Sequence, residues 1–365
     1  MPTLFDPLTL RGVTMRNRIW TSPMCQYSVL DQSGVPQQWQ LVHLASFAVG
    51  GSGLVFTEAT GVSPEARISP RDTGIWNDEQ RDAWKPIVEF IASQGAVPGI
   101  QLGHAGRKAS SWPAWGFTGH TGTVPVAEGG WTAVAPSPEA FGDLDIPREL
   151  DLAGIDAIVD DFRTAARRAV EAGFRAIELH AAHGYLLHQF LSPVSNQRDD
   201  DYGQSPDARA RFVVEVATAV TEAIGAGRVG IRLSPMHNIQ DVVETDLDDV
   251  TATYRSVVDG LAPLGMAYVS VLHRDPSGEL VQDLRERFGG AFIVNSGFGT
   301  VTTRDEAIAL VENSHADAVA VGRLAIANPD LVERWQGEHP ENEPDPSTFY
   351  TAGAEGYTDY PRLSA

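Results

Sequence analysis

Short runs of apolar, often β-branched residues alternate with longer amphipathic stretches over almost the whole chain. Eight runs, at 19–24, 54–60, 97–103, 176–180, 229–234, 267–272, 292–296 and 318–321, have the length and composition of buried strands. Between them, 39–50, 78–94, 152–172, 207–226, 246–264, 277–288 and 303–313 carry apolar residues at three- and four-residue spacing. Asp, Ser or Thr opens most of these stretches, as helix N-termini favour. Strand followed by helix, repeated around a parallel sheet of eight, predicts an α/β (β/α)8 TIM barrel. A doubly wound open sheet is the competing arrangement, but it opens on a glycine-rich turn after its first strand. Here the Gly297-Phe298-Gly299 run follows the seventh strand and lacks a third glycine at the needed spacing.

Three segments fall outside the period. Residues 4–18 read as a hairpin before the first strand. Residues 107–150 are rich in Gly, Pro, Trp and Ser, and this insertion between the third strand and its helix is too long for an ordinary connection, so it is expected to cap the barrel mouth. Residues 338–365 form a Pro-rich tail with aromatics. The whole of 1–365 is read as one domain.

Composition narrows the function. With 365 residues, 42% of them hydrophobic, the chain can bury a large core. Lys plus Arg number 27 against 48 for Asp plus Glu, a net charge of 27 − 48 = −21, which argues against nucleic acid and anionic membrane surfaces as partners. The lone Cys25 excludes an intrachain disulfide and a cysteine-built zinc or iron–sulfur site, and suits a reducing compartment. Asp6 and Pro7 stand where a signal peptide needs an apolar stretch, and no window approaches the roughly 18 apolar residues of a membrane span, so a cytoplasmic protein is expected.

In such a barrel the chemistry comes from the C-terminal ends of the strands. Those ends hold Ser22-Pro23-Met24-Cys25-Gln26-Tyr27, Glu58-Ala59, Gln101, His180-Ala181-Ala182-His183-Gly184-Tyr185, Arg232, Asn295-Ser296-Gly297 and Gly322-Arg323. Gly and Arg after strands seven and eight suggest a phosphate held by backbone N–H groups, although glycines alone also serve purely structural roles. His180 and His183 can share one mouth only if the strand ends between them. No further carboxylate or thiol stands at metal spacing, so no metal is expected; buried structural histidines and a pair of donors to an anionic or carbonyl oxygen stay open, with Tyr185 as proton donor in the second case. Gln101 and Arg232 add neutral and cationic donors, a set suited to a planar, electron-accepting ring bearing carbonyls and ring nitrogens.

Over nearly its whole length the sequence resembles the Old Yellow Enzyme family of FMN-dependent ene-reductases. The resemblance is carried by Leu4-Phe5-Asp6-Pro7-Leu8, Arg16-Asn17-Arg18-Ile19, Ser22-Pro23-Met24-Cys25, the run from His180 to Tyr185 continuing to Leu191-Ser192-Pro193, and Asn196-Gln197-Arg198 with Asp201-Tyr202-Gly203. It implies that Ser22, Pro23, Met24, Cys25, Ala59, Gln101, Arg232, Ser296, Gly297, Gly322 and Arg323 contact tightly bound FMN, with Gln101 and Arg232 at the pyrimidine edge and Arg323 at the phosphate. It further implies that NADPH or NADH reduces the flavin. His180 and His183 then bind the oxygen of an activated alkene (enone, enal, maleimide or nitroalkene) or of a phenol, and Tyr185 protonates the α-carbon. Tyr27 is implied as a substrate contact and Cys25 as a tuner of the flavin, against plain readings as a core tyrosine and a small buried side chain.

Cys25 and Tyr27 resemble the thermophilic-like branch. The tail Thr348-Phe349-Tyr350-Thr351 with Gly353 to Pro361 is instead similar to the bacterial pentaerythritol-nitrate- and morphinone-reductase branch. Monomer and homodimer both stay open, and Phe349 and Tyr357 are expected to remain near their own subunit's flavin. A flavin-dependent α-hydroxy-acid oxidase and a catalytically silent ligand-binding barrel are the competing functions.

Overall fold

The computed structural model describes residues 2–114, 119–297, 300–350 and 353–363. Phe298 and Gly299 of the glycine run, Thr351 of the tail motif and 115–118 of the insertion lie outside the described residues. Eight parallel strands close a barrel: β1 (Ile19–Thr21), β2 (Leu54–Gly61), β3 (Val97–Gly103), β4 (Ala176–Ala181), β5 (Val229–Leu233), β6 (Tyr268–Leu272), β7 (Ala291–Asn295) and β8 (Ala318–Val321). Each pairs with its neighbour in sequence, and β8 closes the ring on β1 through Val319↔Ile19 and Val321↔Thr21. The (β/α)8 expectation therefore holds.

Helices α1 (Gln38–Val49), α2 (Asp78–Ser93), α3 (Leu152–Ala172), α4 (Leu186–Leu191), α5 (Pro206–Ile224), α6 (Leu247–Leu261), α7 (Glu279–Phe288), α8 (Arg304–Glu312), α9 (Arg323–Ala327) and α10 (Leu331–Gly337) surround it. Side-chain caps start several of them: Asn77 accepts from the Gln80 N–H, Asp151 from Gly154, Ser205 from Ala208 and Thr303 from Glu306. Their apolar stripes pack on the outer face of the sheet, where Phe162, Ala165, Phe212 and Val216 are fully buried.

Three details differ from the periodicity. The first strand stops at Thr21, so Ser22-Pro23-Met24 runs on as irregular chain across the mouth. The stretch 246–264 divides into α6 and a 3₁₀ turn, Ala262–Leu264, because Pro263 cannot continue the helical ladder. Helices α4, α9 and α10 follow β4 and β8 without a periodic stretch long enough to announce them.

The predicted hairpin exists as Leu8–Leu10 paired antiparallel with Val13–Met15. Leu8 and Met15 join Trp20, Phe56 and Tyr268 in a cluster that fills the bottom of the lumen. The insertion after β3 folds as 3₁₀ turns and a two-residue ladder, Val134–Ala135 with Arg148–Glu149, and its Ala109 and Ala133 pack with Tyr27 and Tyr185 over the mouth. No described helix is long and apolar enough to cross a membrane.

Candidate active site

The strands end in a cavity of about 380 Å³, within the range of small-molecule sites. Of the residues expected to contact cofactor or substrate, all but Ser296 line it: Ser22, Pro23, Met24, Cys25 and Tyr27 after β1, Ala59 on β2, Gln101 on β3, His180, His183 and Tyr185 at β4, Arg232 on β5, Gly297 after β7, and Gly322 and Arg323 after β8. Ser296 is buried beside it, its hydroxyl donating to Glu306 (2.6 Å) and meeting Thr302 Oγ1 at 3.1 Å. Its neighbour Gly297 has φ +114°, a conformation that a side chain would strain.

β4 ends at Ala181, between the two histidines, and this is how both reach one mouth. His183 then turns left-handed (φ +58°), followed by Gly184 (φ +76°), and their N–H groups donate to Ser234 Oγ and His188 Nδ1, both at 2.9 Å. A Cβ on Gly184 would lie 2.8 Å from the Gln240 Cβ, so the turn needs glycine for its conformation and for the close approach of the β5 loop. The result is a compact ring cluster, with His180 centred 5.1 Å from His183 and 5.0 Å from Tyr185.

Burial, then the charge of Arg232, pushes the His180 imidazole down to about 3, and the same causes push His183 well below its usual range. Both rings are thus neutral near pH 7, and each keeps one N–H to donate. Burial pushes the phenols of Tyr185 and Tyr27 well above their ordinary range, and the thiol of Cys25 upward too, so these groups stay protonated. Gln240 hydrogen-bonds the Tyr185 side chain. Tyr27 has φ +52°, a strained backbone for a non-glycine residue, and the preceding Gln26 N–H is held by Glu58 Oε2 at 2.9 Å.

Deeper in the lumen, Gln101 Nε2 donates to Glu178 Oε1 (2.8 Å), the Tyr268 hydroxyl donates to Glu178 Oε2 (3.2 Å), and Arg232 donates to Asn295 Oδ1 (3.1 Å). Burial raises the Glu178 carboxyl, and the nearby Arg232 charge opposes that rise.

Whether these residues suit FMN is tested by what they lack. Among the described residues, Ser22 Oγ, His180 Nδ1 and Arg232 Nε are buried with no hydrogen-bond partner in the protein. Buried donors are rarely left unpaired, and here three line one cavity. A flat ring bearing carbonyls and nitrogens would satisfy them, with Arg232 facing its electron-rich edge and the Gly297 and Gly322-Arg323 loops at a phosphate. The donor set fits. No group of His, Cys, Asp or Glu able to hold a metal occurs among the described residues.

Sequence reading gave no site role to Glu178, Lys108 or Tyr350. Glu178 is two residues before His180 and so shares its face of β4, a signal that was present. Lys108 follows the end of β3 and obeys the same strand-end rule. Tyr350 carried no local signal; the tail returns it to the mouth, where it lies 5.6 Å from the Tyr27 ring. Phe349 and Tyr357 line the cavity of their own chain, Phe349 against the Arg323 guanidinium at 5.7 Å.

Residues 3–342 match the NADH:flavin oxidoreductase / NADH oxidase family. A putative 12-oxophytodienoate reductase of Oryza sativa subsp. japonica is 38% identical over 359 residues, 96% of this chain and 92% of the relative. An NADPH dehydrogenase of Listeria monocytogenes is 38% identical over 333 residues, 90% of this chain and 93% of the relative. Among solved structures, morphinone reductase in complex with tetrahydroNAD superimposes with a TM-score of 0.87 at 35% identity, over 100% of this chain and 98% of the other. An old yellow enzyme homologue from Zymomonas mobilis does so at 0.85 and 31% identity, over 99% and 100% of the two chains.

Proposed function

Because this chain belongs to the NADH:flavin oxidoreductase / NADH oxidase family and is an FMN-dependent NAD(P)H ene-reductase of the Old Yellow Enzyme type, we propose that its cavity divides into a flavin cradle and an alkene pocket. The cradle comprises Ser22 to Cys25, Ala59, Gln101, Arg232, Ser296-Gly297 and Gly322-Arg323; the pocket is formed by Tyr27, His180, His183 and Tyr185. FMN held in this cradle would supply the hydride chemistry, from NADPH or NADH to the β-carbon of an activated alkene held by the pocket residues.

His180 and His183 donate hydrogen bonds to the substrate's electron-withdrawing oxygen. As neutral donors fixed in a dry site they stabilise charge that develops there without reorganising. Tyr185, kept protonated by burial and hydrogen-bonded by Gln240, delivers a proton to the α-carbon. Arg232 supplies positive charge at the ring edge that becomes electron-rich on reduction, and Glu178 holds Gln101 beside it. Arg323 takes the phosphate. One domain carries the whole function, in the cytoplasm, as monomer or homodimer, on enones, enals, maleimides or nitroalkenes, with phenols as ligands.

The observation that carries this division is the convergence of neutral His180 and His183, protonated Tyr185 and buried Arg232 on one cavity. The purified protein should be yellow and release FMN on denaturation, NAD(P)H should bleach it anaerobically, and cyclohexenone should restore the colour. Titration with p-hydroxybenzaldehyde should raise a long-wavelength charge-transfer band that the double change His180→Ala, His183→Ala abolishes. A band that survives the double change refutes the role of the pair.

A further inference from the structure

Glu244 and His188 do not line the cavity and have no task in the scheme above, yet both are buried. His188 lies in α4, four residues after Gly184, and Glu244 lies in the loop between β5 and α6. His188 Nε2 meets Glu244 Oε1 at 3.2 Å, and among the described residues this imidazole is the carboxylate's one ion-pair contact. Burying a carboxylate away from any Lys or Arg is unfavourable unless good donors surround it. They do: Oε2 accepts from the Met236 N–H at 2.6 Å, and the Tyr254 side chain bonds to Glu244 as well.

This arrangement fixes a proton. The Gly184 N–H donates to His188 Nδ1 at 2.9 Å, so that nitrogen carries no hydrogen and the ring holds its single N–H at Nε2. Nε2 faces Glu244 and, at 3.0 Å, the Tyr254 hydroxyl. A carboxylate can only accept. Glu244 therefore selects the Nε2–H form of His188, the one form that leaves Nδ1 bare for Gly184.

Gly184 stands between His183 and Tyr185 in the left-handed turn. His183 has an anchor of its own, its N–H on Ser234 Oγ. Tyr185 is held less directly: its N–H reaches the Ala182 carbonyl at 3.3 Å, and Gln240 of the β5 loop hydrogen-bonds its side chain. Glu244 acts on both supports. Oε1 holds the turn through His188. Oε2 holds Met236, which begins a loop where Met236, Gln240 and Asp241 are all left-handed (φ +59°, +56° and +56°), and the Glu244 N–H closes that loop on Asn238 Oδ1 at 2.7 Å. Such conformations persist only where the surroundings enforce them.

We propose that Glu244 and His188 are positioning residues for the proton-transfer step: the carboxylate fixes the tautomer of His188, and the imidazole holds the Gly184 N–H so that the Tyr185 hydroxyl stays aimed at the α-carbon of the bound alkene. The proposal rests on the assignment of Tyr185 as the acid made above.

Glu244→Gln keeps the size of the side chain but turns one acceptor into an NH2 donor. With that group toward His188, the ring proton is driven to Nδ1, against the Gly184 N–H; with it toward Met236, two donors face each other. In stopped flow, reoxidation of the reduced flavin by cyclohexenone should slow about tenfold or more, because rates respond steeply to a misplaced donor. A nitroalkene, whose product can leave before protonation, should reoxidise the flavin within about threefold of the parent rate, and the affinity for p-hydroxybenzaldehyde, which reports on His180 and His183, should hold within the same range. A loss of packing alone would not discriminate between the two alkenes. The double variant Tyr185→Phe, Glu244→Gln should be no slower with cyclohexenone than Tyr185→Phe, since both changes act on one step.

Retained flavin absorbance shows that each variant is folded. Should Glu244→Gln lose its flavin, His188→Phe and His188→Asn carry the test from the other end. Phe offers Gly184 no acceptor and should slow the enone about tenfold, whereas Asn can accept through Oδ1 and should stay within about threefold of the parent. Equal slowing of both alkenes, no slowing of either, or additive slowing in the double variant overturns the proposal and leaves Tyr185 as the acid, provided that Tyr185→Phe alone slows the enone. A Tyr185→Phe enzyme as fast as the parent refutes the acid assignment, and the positioning role falls with it.

Discussion

At the bottom of the barrel Trp20, Phe56 and Tyr268 fill the lumen ring against ring, Trp20 and Tyr268 meeting edge to face at 5.2 Å. At the mouth the same sheet presents Gln101, Glu178, His180 and Arg232, and His180 Nδ1 and Arg232 Nε are buried there with no hydrogen-bond partner among the described residues. The bottom is packed so closely that a Cβ on Gly230 would lie 2.1 Å from the Tyr268 ring. The mouth encloses about 380 Å³ of space. Tyr268 joins the two halves, its ring in the plug and its hydroxyl on Glu178. The difference teaches where each kind of energy is used. Close packing below secures the fold, and that security lets the upper layer hold unpaired donors, a strained Tyr27 and a left-handed His183.

The contrast can be broken most sharply at Tyr185. Tyr185→Phe should slow reoxidation by cyclohexenone by roughly 10²–10⁴-fold while flavin reduction by NAD(P)H stays nearly intact. A nitroalkene, whose nitronate can leave before protonation, should suffer much less. Equal slowing of both half-reactions in stopped flow would remove Tyr185 from the role of acid and pass it to Tyr27 or water.

Trp20→Ala is the mirror experiment. It should cost about 3–5 kcal/mol of stability, read as a lower denaturation midpoint, while kcat per flavin stays near the parent value. A large loss of kcat with unchanged stability would mean that the two halves are not separable. Arg323→Ala should be milder, weakening FMN by roughly 1.5–3 kcal/mol, and fluorescence titration of the apoprotein would measure it. Unchanged affinity would place the phosphate elsewhere.

The gentlest effect is a pH slope at the mouth. Burial raises the Glu58 carboxyl from 4.5 to about 7. A carboxyl raised in the folded state binds its proton more tightly there, so its contribution is fully present below about 4.5 and is lost as pH rises through about 7. Glu58→Gln should flatten the dependence of Tm on pH across that window. Part of the slope left over belongs to Asp72 and Asp161, which burial raises in the same direction, each from 3.8 to about 6, while the buried His180 and His183, lowered by burial, slope the opposite way. An unaltered slope in Glu58→Gln would mean that Glu58 titrates normally.

The sequence by itself determined the eight strands, most of the outer helices, the hairpin and the strand-end residues. Alternation, three- and four-residue spacing and Asx, Ser or Thr caps are local properties, written within a dozen residues of where they act. It also determined that His180 and His183 could share a mouth only if β4 stopped between them, as it does at Ala181. Only the tertiary structure decided which distant groups meet. Gln101 and Glu178 are 77 residues apart in the chain and bonded at 2.8 Å; Arg232 and Asn295 are 63 apart and bonded at 3.1 Å. Tyr350 returns from the tail to Tyr27, and Lys108 turns from a basic residue in a loop into one that lines the cavity at the strand ends. Periodicity fixes which face of a strand a residue occupies, but closure of the ring sets what stands opposite it, and irregular segments such as the insertion and the tail take their paths from the surface they cover.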